Sequence, residues 1–427
     1  MTPVKRFWLH VGAATAVIMI GCWLCSGTVA PYGTHTYAPC HYRINGDHEH
    51  FFAVFAMLDG QPAVEWDFSV VLRRVLHPLL AYPLMKAFGF EAGGLIFNIL
   101  LHGGAMIALA LAIRRFFDAR AAVLVCWLFA TYPGYAYWAG LPYSYALIVP
   151  GSIACTIGLL WWHERPSVAR AGIAATIIGV VGCGYDITPF FGVALLMLTA
   201  YRRRWRDLGV SLVVLGAWTL FVAKGLPAIF GFPAMNSNTQ TYGNVIDAWL
   251  HFWQRTDGWG ALLADVPHIL VSNFFFSGMI FFPVLFLLVV AHHMKFRVRP
   301  ILGPVALSIL LSTFVVFVFL NLAPPYGGLW QLRGTWLARL YQPWFVVVLL
   351  VVAAASVALR DTRRYKALVA AVVVCCVIDG VAIAGPYIHI YGVYMTVNEN
   401  FYQHSSLTKN WSWLHHLGVR PYGFCNK

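Results

Sequence analysis

Charge is what this sequence has least of. Only 11% of its 427 residues are Asp, Glu, Lys or Arg, less than half the share that a water-facing surface uses, which excludes an ordinary soluble domain. There is no GxxxxGK[ST] loop and no GxGxxG turn followed by an acid, so neither of the common nucleotide-binding fingerprints is present. No internal repeat is visible. Seven of the nine cysteines fall within apolar stretches, where a thiol behaves as a small hydrophobe. What is abundant is apolar surface: 60% hydrophobic and 16% aromatic residues, with a mean hydropathy of +0.70. Nearly every segment between basic clusters is apolar on all faces, and such segments need lipid or neighbouring helices around them. The chain therefore reads as an all-α polytopic membrane protein, and the net charge of +13 does not indicate a nucleic-acid partner.

Apolar stretches near 7–30, 92–113, 121–139, 144–162, 171–185, 187–201, 208–227, 267–291, 301–322, 342–359 and 367–385 make about eleven candidate transmembrane helices, each judged against a hydrocarbon core of about 30 Å. The run from Phe7 to Ala30 is too long for a signal peptide and lacks a clear small-residue cleavage site. Lys and Arg fall on alternate loops. Lys5 and Arg6; Arg114, Arg115 and Arg120; Arg165 and Arg170; Arg202, Arg203, Arg204 and Arg206; Lys295, Arg297 and Arg299; and Arg360, Arg363, Arg364 and Lys366 are eighteen of the 29 basic residues. Basic residues accumulate in short cytoplasmic loops, which sets the N-terminus inside and the C-terminus outside. The whole chain, 1–427, then forms one transmembrane domain with outer segments at 31–91, 228–266 and 386–427.

Phe68 to Phe88 is apolar enough to pass for a further span, but Arg73, Arg74, His77, Pro78 and Pro83 interrupt it. A crossing there would put Arg202 to Arg206 outside, against the charge rule. It is expected to lie along or partly within the outer leaflet. Phe51, Val54, Phe55 and Leu58 form an i, i+3, i+4, i+7 stripe in front of it, so the first outer loop is expected to carry two interfacial helices.

Only four of the sixteen acids, Asp118, Glu164, Asp207 and Asp361, lie in the cytoplasmic loops. Gly46-Asp47-His48-Glu49-His50 places four consecutive ionisable residues beside the membrane, where such groups are costly unless hydrated or paired. An enzyme with its chemistry on the outside has no nucleotide sugar to draw on and would need a lipid-linked donor.

Several stretches together resemble the GT-C superfamily of polyprenyl-phosphate-sugar glycosyltransferases, which includes protein mannosyltransferases and the lipid A aminoarabinose transferase. They are Asp47-His48-Glu49-His50-Phe51-Phe52, Arg74-Val75-Leu76-His77-Pro78-Leu79-Leu80 before Phe88-Gly89-Phe90, Arg114-Arg115-Phe116-Phe117-Asp118, Ala130-Thr131-Tyr132-Pro133, and Tyr201-Arg202-Arg203-Arg204-Trp205-Arg206. The resemblance implies a GT-C-like fold, a location in a bacterial inner membrane, and transfer of a sugar from a polyprenyl-phosphate donor to a glycan, lipid or protein acceptor at the periplasmic face. It places the first-loop acid on Asp47. The sequence departs from the family pattern around Leu141-Pro142-Tyr143-Ser144, where a second carboxylate is missing, and in that no folded domain is expected after the last span.

Sugar transfer needs a base for the acceptor proton and cations for the leaving phosphate. Asp47 is the expected base, in an inverting transfer, with Glu49 as second carboxylate; Asp47 also fits an N-cap of the interfacial helix. His48 and His50 stand two apart and not i, i+4, so this spacing does not by itself specify a divalent cation, and the metal stays open. Arg339 leads the phosphate-binding candidates, followed by Arg333, Arg74 and Lys224. Its guanidinium would match phosphate oxygens bidentately, and it equally fits an anchor snorkelling to headgroups. His48, His50, His77, Tyr185 and Asp186 are expected to line the cavity, although Asp186 would also suit a simple turn. Asp379 falls mid-span and needs a partner in the bundle. Cys40 and Cys425 lie in the outer loop and the outer tail, where a disulfide would pin the tail over the acidic cluster; two separate thiols are the alternative. The competing class is a secondary transporter or lipid flippase, which predicts repeats and several mid-membrane acids.

Overall fold

The computed structural model describes residues 2–25, 58, 74–132, 139, 144–185, 188–229, 304–305, 308–309, 311 and 342–384. Among these residues every regular element is a helix. In chain order they are α1 (Pro3–Cys25), α2 (Leu76–Phe88), α3 (Phe90–Phe116), α4 (Ala119–Ala130), a 3-10 turn (Ser144–Leu147) leading into α5 (Ile148–Glu164), α6 (Val168–Gly182), α7 (Thr188–Tyr201), α8 (Trp205–Leu220), α9 (Gln342–Ala358) and α10 (Arg363–Ala384). α8 continues through a π-helical turn, Phe221–Gly225, into Leu226–Ile229.

Local chemistry sets the boundaries. The Asp118 carboxylate accepts the Ala121 N–H at 2.7 Å and starts α4; Ser167 does the same for α6 through the Arg170 N–H at 3.3 Å. Gly89, at φ +84°, separates α2 from α3 in a conformation that only glycine adopts cheaply. α4 ends at Ala130, well short of the expected 139. Pro133 explains the shortening, since a proline disfavours helix at the residue before it and removes its own donor.

α3 and α8, the latter with its π turn, are each long and apolar enough to cross a membrane, and α4, α6, α7 and α9 contribute shorter apolar helices. Their outward faces are apolar too. Leu212, Val213 and Leu220 on α8 and Val373, Val374, Val377 and Ile378 on α10 are all more than half exposed. Such faces are a liability in water and suit lipid. Inside, small residues let backbones approach, as they do in membrane bundles: Gly158 of α5 faces Ala174 of α6, and a Cβ on Gly179 of α6 would run into the Trp218 side chain of α8. α4 lies at the centre, packed against α1, α3, α9 and α10. Beyond its last turn Tyr132 stacks on Phe345 of α9 at 3.8 Å between ring centroids.

Apart from Arg74, the described arginines gather at one end of this bundle. Arg114, at the foot of α3, lies 5.0 Å over the Phe7 ring of α1, and Arg115 pairs with Glu164 of α5 at 2.9 Å. Arg202 meets His163 at 3.1 Å, while Arg204 and the Trp162 indole both donate to Asp207. Arg360 approaches Asp118 at 3.9 Å. α6 leaves this basic end at Ser167, so Cys183, which caps its other terminus, is at the opposite end. The Leu76 N–H donates to the Cys183 carbonyl at 3.0 Å, which puts the start of α2 at that opposite end as well. The end of α2 is there too, because α3 runs from Phe90 back to the arginines. With 13 residues, about 20 Å of helix, α2 is too short to cross.

Candidate functional site

The end of the bundle away from the arginines is built by α2 together with the ends of α6 and α8. Arg74, just ahead of α2 and 9% exposed, lays its guanidinium 4.7 Å over the ring of Tyr185, which follows α6 and is 2% exposed. A desolvated stacking of this kind is worth about 2 kcal/mol and fixes the plane of the guanidinium. Val75, the next residue, packs with Leu226 at the end of α8, with Val222 and Leu58 against them. Lys224 lies between Val222 and Leu226 on the π turn, and its side chain is exposed. Two of the four phosphate-binding candidates, Arg74 and Lys224, are therefore carried at this end of the bundle by segments that meet in one small apolar contact. Leu58, the last residue of the Phe51–Leu58 stripe, also accepts a hydrogen bond from the Tyr82 hydroxyl at 3.1 Å.

α2 is held from beneath by a buried polar chain. Asn98 of α3 commits its amide N–H to the Ala139 carbonyl at 2.8 Å, so its Oδ1 must accept, and His77 Nε2–H donates to it at 2.8 Å. One turn along, His102 Nδ1–H donates to the Asn98 carbonyl at 2.9 Å. His77 and Asn98 are fully buried and His102 is 1% exposed. Burial pushes the His77 pKa down to about 3; its bond to Asn98 opposes this shift and the nearby His102 adds to it. His77 also meets Phe97 edge-on at 5.0 Å. Asn98 and His102 are absent from the sequence-based candidates, although an i, i+4 polar pair inside an apolar span is itself a signal.

Asp47, His48, Glu49, His50, Asp186, Arg333, Arg339, Cys40 and Cys425 lie outside the described residues, so neither the carboxylate cluster nor the bridge has a geometry here. Among the described residues no group of His, Cys, Asp and Glu could hold a metal ion. Cys126, Cys155, Cys183, Cys375 and Cys376 are free thiols. Asp379 is 5% exposed on α10.

No protein-family model matches the sequence, and no curated protein matches it. Solved structures do. ArnT from Cupriavidus metallidurans, crystallised bound to undecaprenyl phosphate, superposes over 94% of this chain and 76% of its own, with a TM-score of 0.50 at 16% identity. The fold is the GT-C fold. An oligosaccharyltransferase from Archaeoglobus fulgidus, solved with zinc and sulfate, covers 97% of this chain and 57% of its own at TM-score 0.49 and 14% identity. ArnT in the apo state gives 0.46 at 15% identity, over 93% and 76% of the two chains. Within the GT-C fold of this chain, the arginine-rich end and the Arg74–Tyr185 wall occupy opposite ends of the bundle.

Proposed function

We propose that this protein is a membrane glycosyltransferase that moves a sugar from a polyprenyl phosphate to an acceptor at the outer, periplasmic face of a bacterial inner membrane. The observation that carries the reading is the fold shared, over 94% of the chain, with ArnT, whose crystal structure holds undecaprenyl phosphate. Two cations, Arg74 and Lys224, at the end of the bundle away from the arginine cluster support it further.

In this reading Asp47 takes the acceptor hydroxyl proton as the acceptor oxygen attacks the anomeric carbon. The bond from that carbon to the donor phosphate breaks, and its electron pair leaves on the phosphate oxygen. A single displacement inverts the anomeric centre. Arg339, Arg333, Arg74 and Lys224 stabilise the phosphate as its charge grows. Glu49 is the second carboxylate, and His48, His50, Tyr185 and Asp186 line the cavity. His77 contributes from beneath by holding α2. The Cys40–Cys425 bridge fastens the C-terminal tail over the acidic cluster. If a divalent cation takes part, Asp47, His48, Glu49 and His50 are the residues that would hold it.

Asp47→Asn tests the proposal, because Asn caps a helix about as well as Asp but cannot accept the proton. Wild-type and variant protein are compared in membranes for expression level and for glycosyl transfer from a polyprenyl-phosphate sugar. The expected result is normal expression with transfer lowered at least about hundredfold. Wild-type transfer by the variant would remove Asp47 from the chemistry. Movement of the lipid across the bilayer without any transfer would replace the reading with a flippase.

A further inference from the structure

The turn between α7 and α8 carries a feature that the proposed reaction does not use. Tyr201, Arg202, Arg203, Arg204, Trp205 and Arg206 follow one another, and the Arg203 backbone at φ 53° folds them into a tight hairpin. The Arg203 N–H donates to Ala200 O and the Arg204 N–H to Thr199 O, which closes it. Two of its arginines are used inward: Arg202 on His163 at 3.1 Å, and Arg204 on Asp207 and on the Pro166 carbonyl, each at 3.3 Å. The Pro166 contact brings the α5–α6 turn, with Arg165, alongside the hairpin. The side chains of Arg165, Arg203 and Arg206 are exposed and make no hydrogen bond or ion pair with any described residue.

Three of the four acids at this end are engaged by described residues. Glu164 is taken by Arg115 at 2.9 Å. Asp207 is fully buried beneath Arg204 and the Trp162 indole. Asp118 serves the Ala121 N–H and Arg360, and Asp361 sits in the α9–α10 turn among Arg360, Arg363 and Arg364. Three guanidinium groups have no counter-ion among the described residues, and they stand beside two exposed aromatic rings, Tyr201 at 72% and Trp205 at 65%. Exposed Trp and Tyr beside arginine are what a headgroup boundary selects, since the ring seats at the edge of the acyl region while the cation stays with the phosphates.

We propose that the α7–α8 hairpin with Arg165 is a binding site for an anionic phospholipid of the leaflet that this end faces. Arg165, Arg203 and Arg206 take the phosphodiester, and Tyr201 and Trp205 flank its glycerol and upper acyl chains. Guanidinium suits the ligand because its fork meets two phosphate oxygens at once.

Native mass spectrometry of the full-length protein in detergent tests this, with phosphatidylglycerol and phosphatidylcholine of identical chains offered in equal amounts. The wild type should retain the anionic lipid preferentially, by roughly fivefold for each free guanidinium. Arg165→Gln/Arg203→Gln/Arg206→Gln should lose most of that preference while melting like the wild type in neutral lipid. Arg363→Gln/Arg364→Gln/Lys366→Gln, which removes the same charge from the start of α10, should keep it. Equal retention of the two lipids by the wild type, or an undiminished preference in the hairpin variant, overturns the proposal. So does an equal loss in both variants, which would make net charge the determinant. Displacement of the lipid by inorganic phosphate at millimolar concentration would show that only a phosphate site exists. Should the hairpin variant fail to fold, the Trp205→Ala single variant is expected to retain the lipid less well than the wild type, and unchanged retention there also counts against the site.

Discussion

Removing the Asn98 side chain should loosen α2 more than any single change at the Arg74–Tyr185 contact. In Asn98→Ala the His77 Nε2–H loses its acceptor and the Ala139 carbonyl loses its donor, both bonds being 2.8 Å. Hydrogen bonds within membrane bundles average about 0.6 kcal/mol, with a maximum near 1.7, but a buried group left without its partner costs about 1–3 kcal/mol. Two partners are stranded here in a fully buried setting, so the expected loss is about 2–4 kcal/mol, the lower half of the simple sum because neighbours relax. Unfolding by SDS titration in mixed micelles reads this number. A second variant separates hydrogen bonding from packing: in His77→Phe/Asn98→Leu both sides of one bond are apolar, so the double variant should be more stable than the two single losses summed. Because Arg74 precedes α2, donor affinity should fall in Asn98→Ala and recover in part in the double variant. A loss below about 0.5 kcal/mol for Asn98→Ala would refute the view that this chain of bonds anchors α2.

Three further outcomes follow from the same geometry. Gly93→Ala should destabilise by about 1–3 kcal/mol, since a Cβ there would meet the Leu84 carbonyl and the Met85 backbone and push α2 off α3; wild-type stability in SDS titration would show that α2 moves freely. His77 is neutral in the folded protein, its pKa pushed down to about 3 from an ordinary 6.5. As pH falls below 6.5 the unfolded chain binds a proton that the folded chain refuses, so stability present above 6.5 declines toward pH 3, by about 2 kcal/mol at pH 5. His77→Gln lacks this component, and identical pH slopes for the two proteins between pH 7 and 5 would contradict it. Finally, Cys40 and Cys425 should resist alkylation until the protein is reduced, whereas peptide mapping that finds both already alkylated in fresh material would exclude the bridge and the pinned tail.

What the sequence could show of this architecture depended on which property carried the information. The apolar runs that became α3, α5, α6, α7, α8, α9 and α10 were readable because a helix in lipid needs little but uninterrupted hydrophobicity, and the error at α4 came from giving that property more weight than Pro133. The alternation of arginine loops was readable for the same reason, since sidedness is a property of composition. Contacts between distant segments were not. Arg74 and Tyr185 are more than a hundred residues apart, and neither residue's neighbours in sequence indicate that the guanidinium lies over the ring. Lys224 could be read as a cation near the end of a span, but the packing of its neighbours Val222 and Leu226 with Val75 could not, since it joins segments that are far apart in sequence. Asn98 and His102 show the reverse situation. Their signal, two polar residues one helical turn apart within Phe97-Asn98-Ile99-Leu100-Leu101-His102, was present and strong, because a polar side chain in an apolar span must find a partner. Mean hydropathy over a whole span hides it. The polar residues inside such spans therefore mark where helices are locked to one another, and here they mark the lock beneath the one helix, α2, that starts and ends at the end of the bundle where the chemistry is proposed.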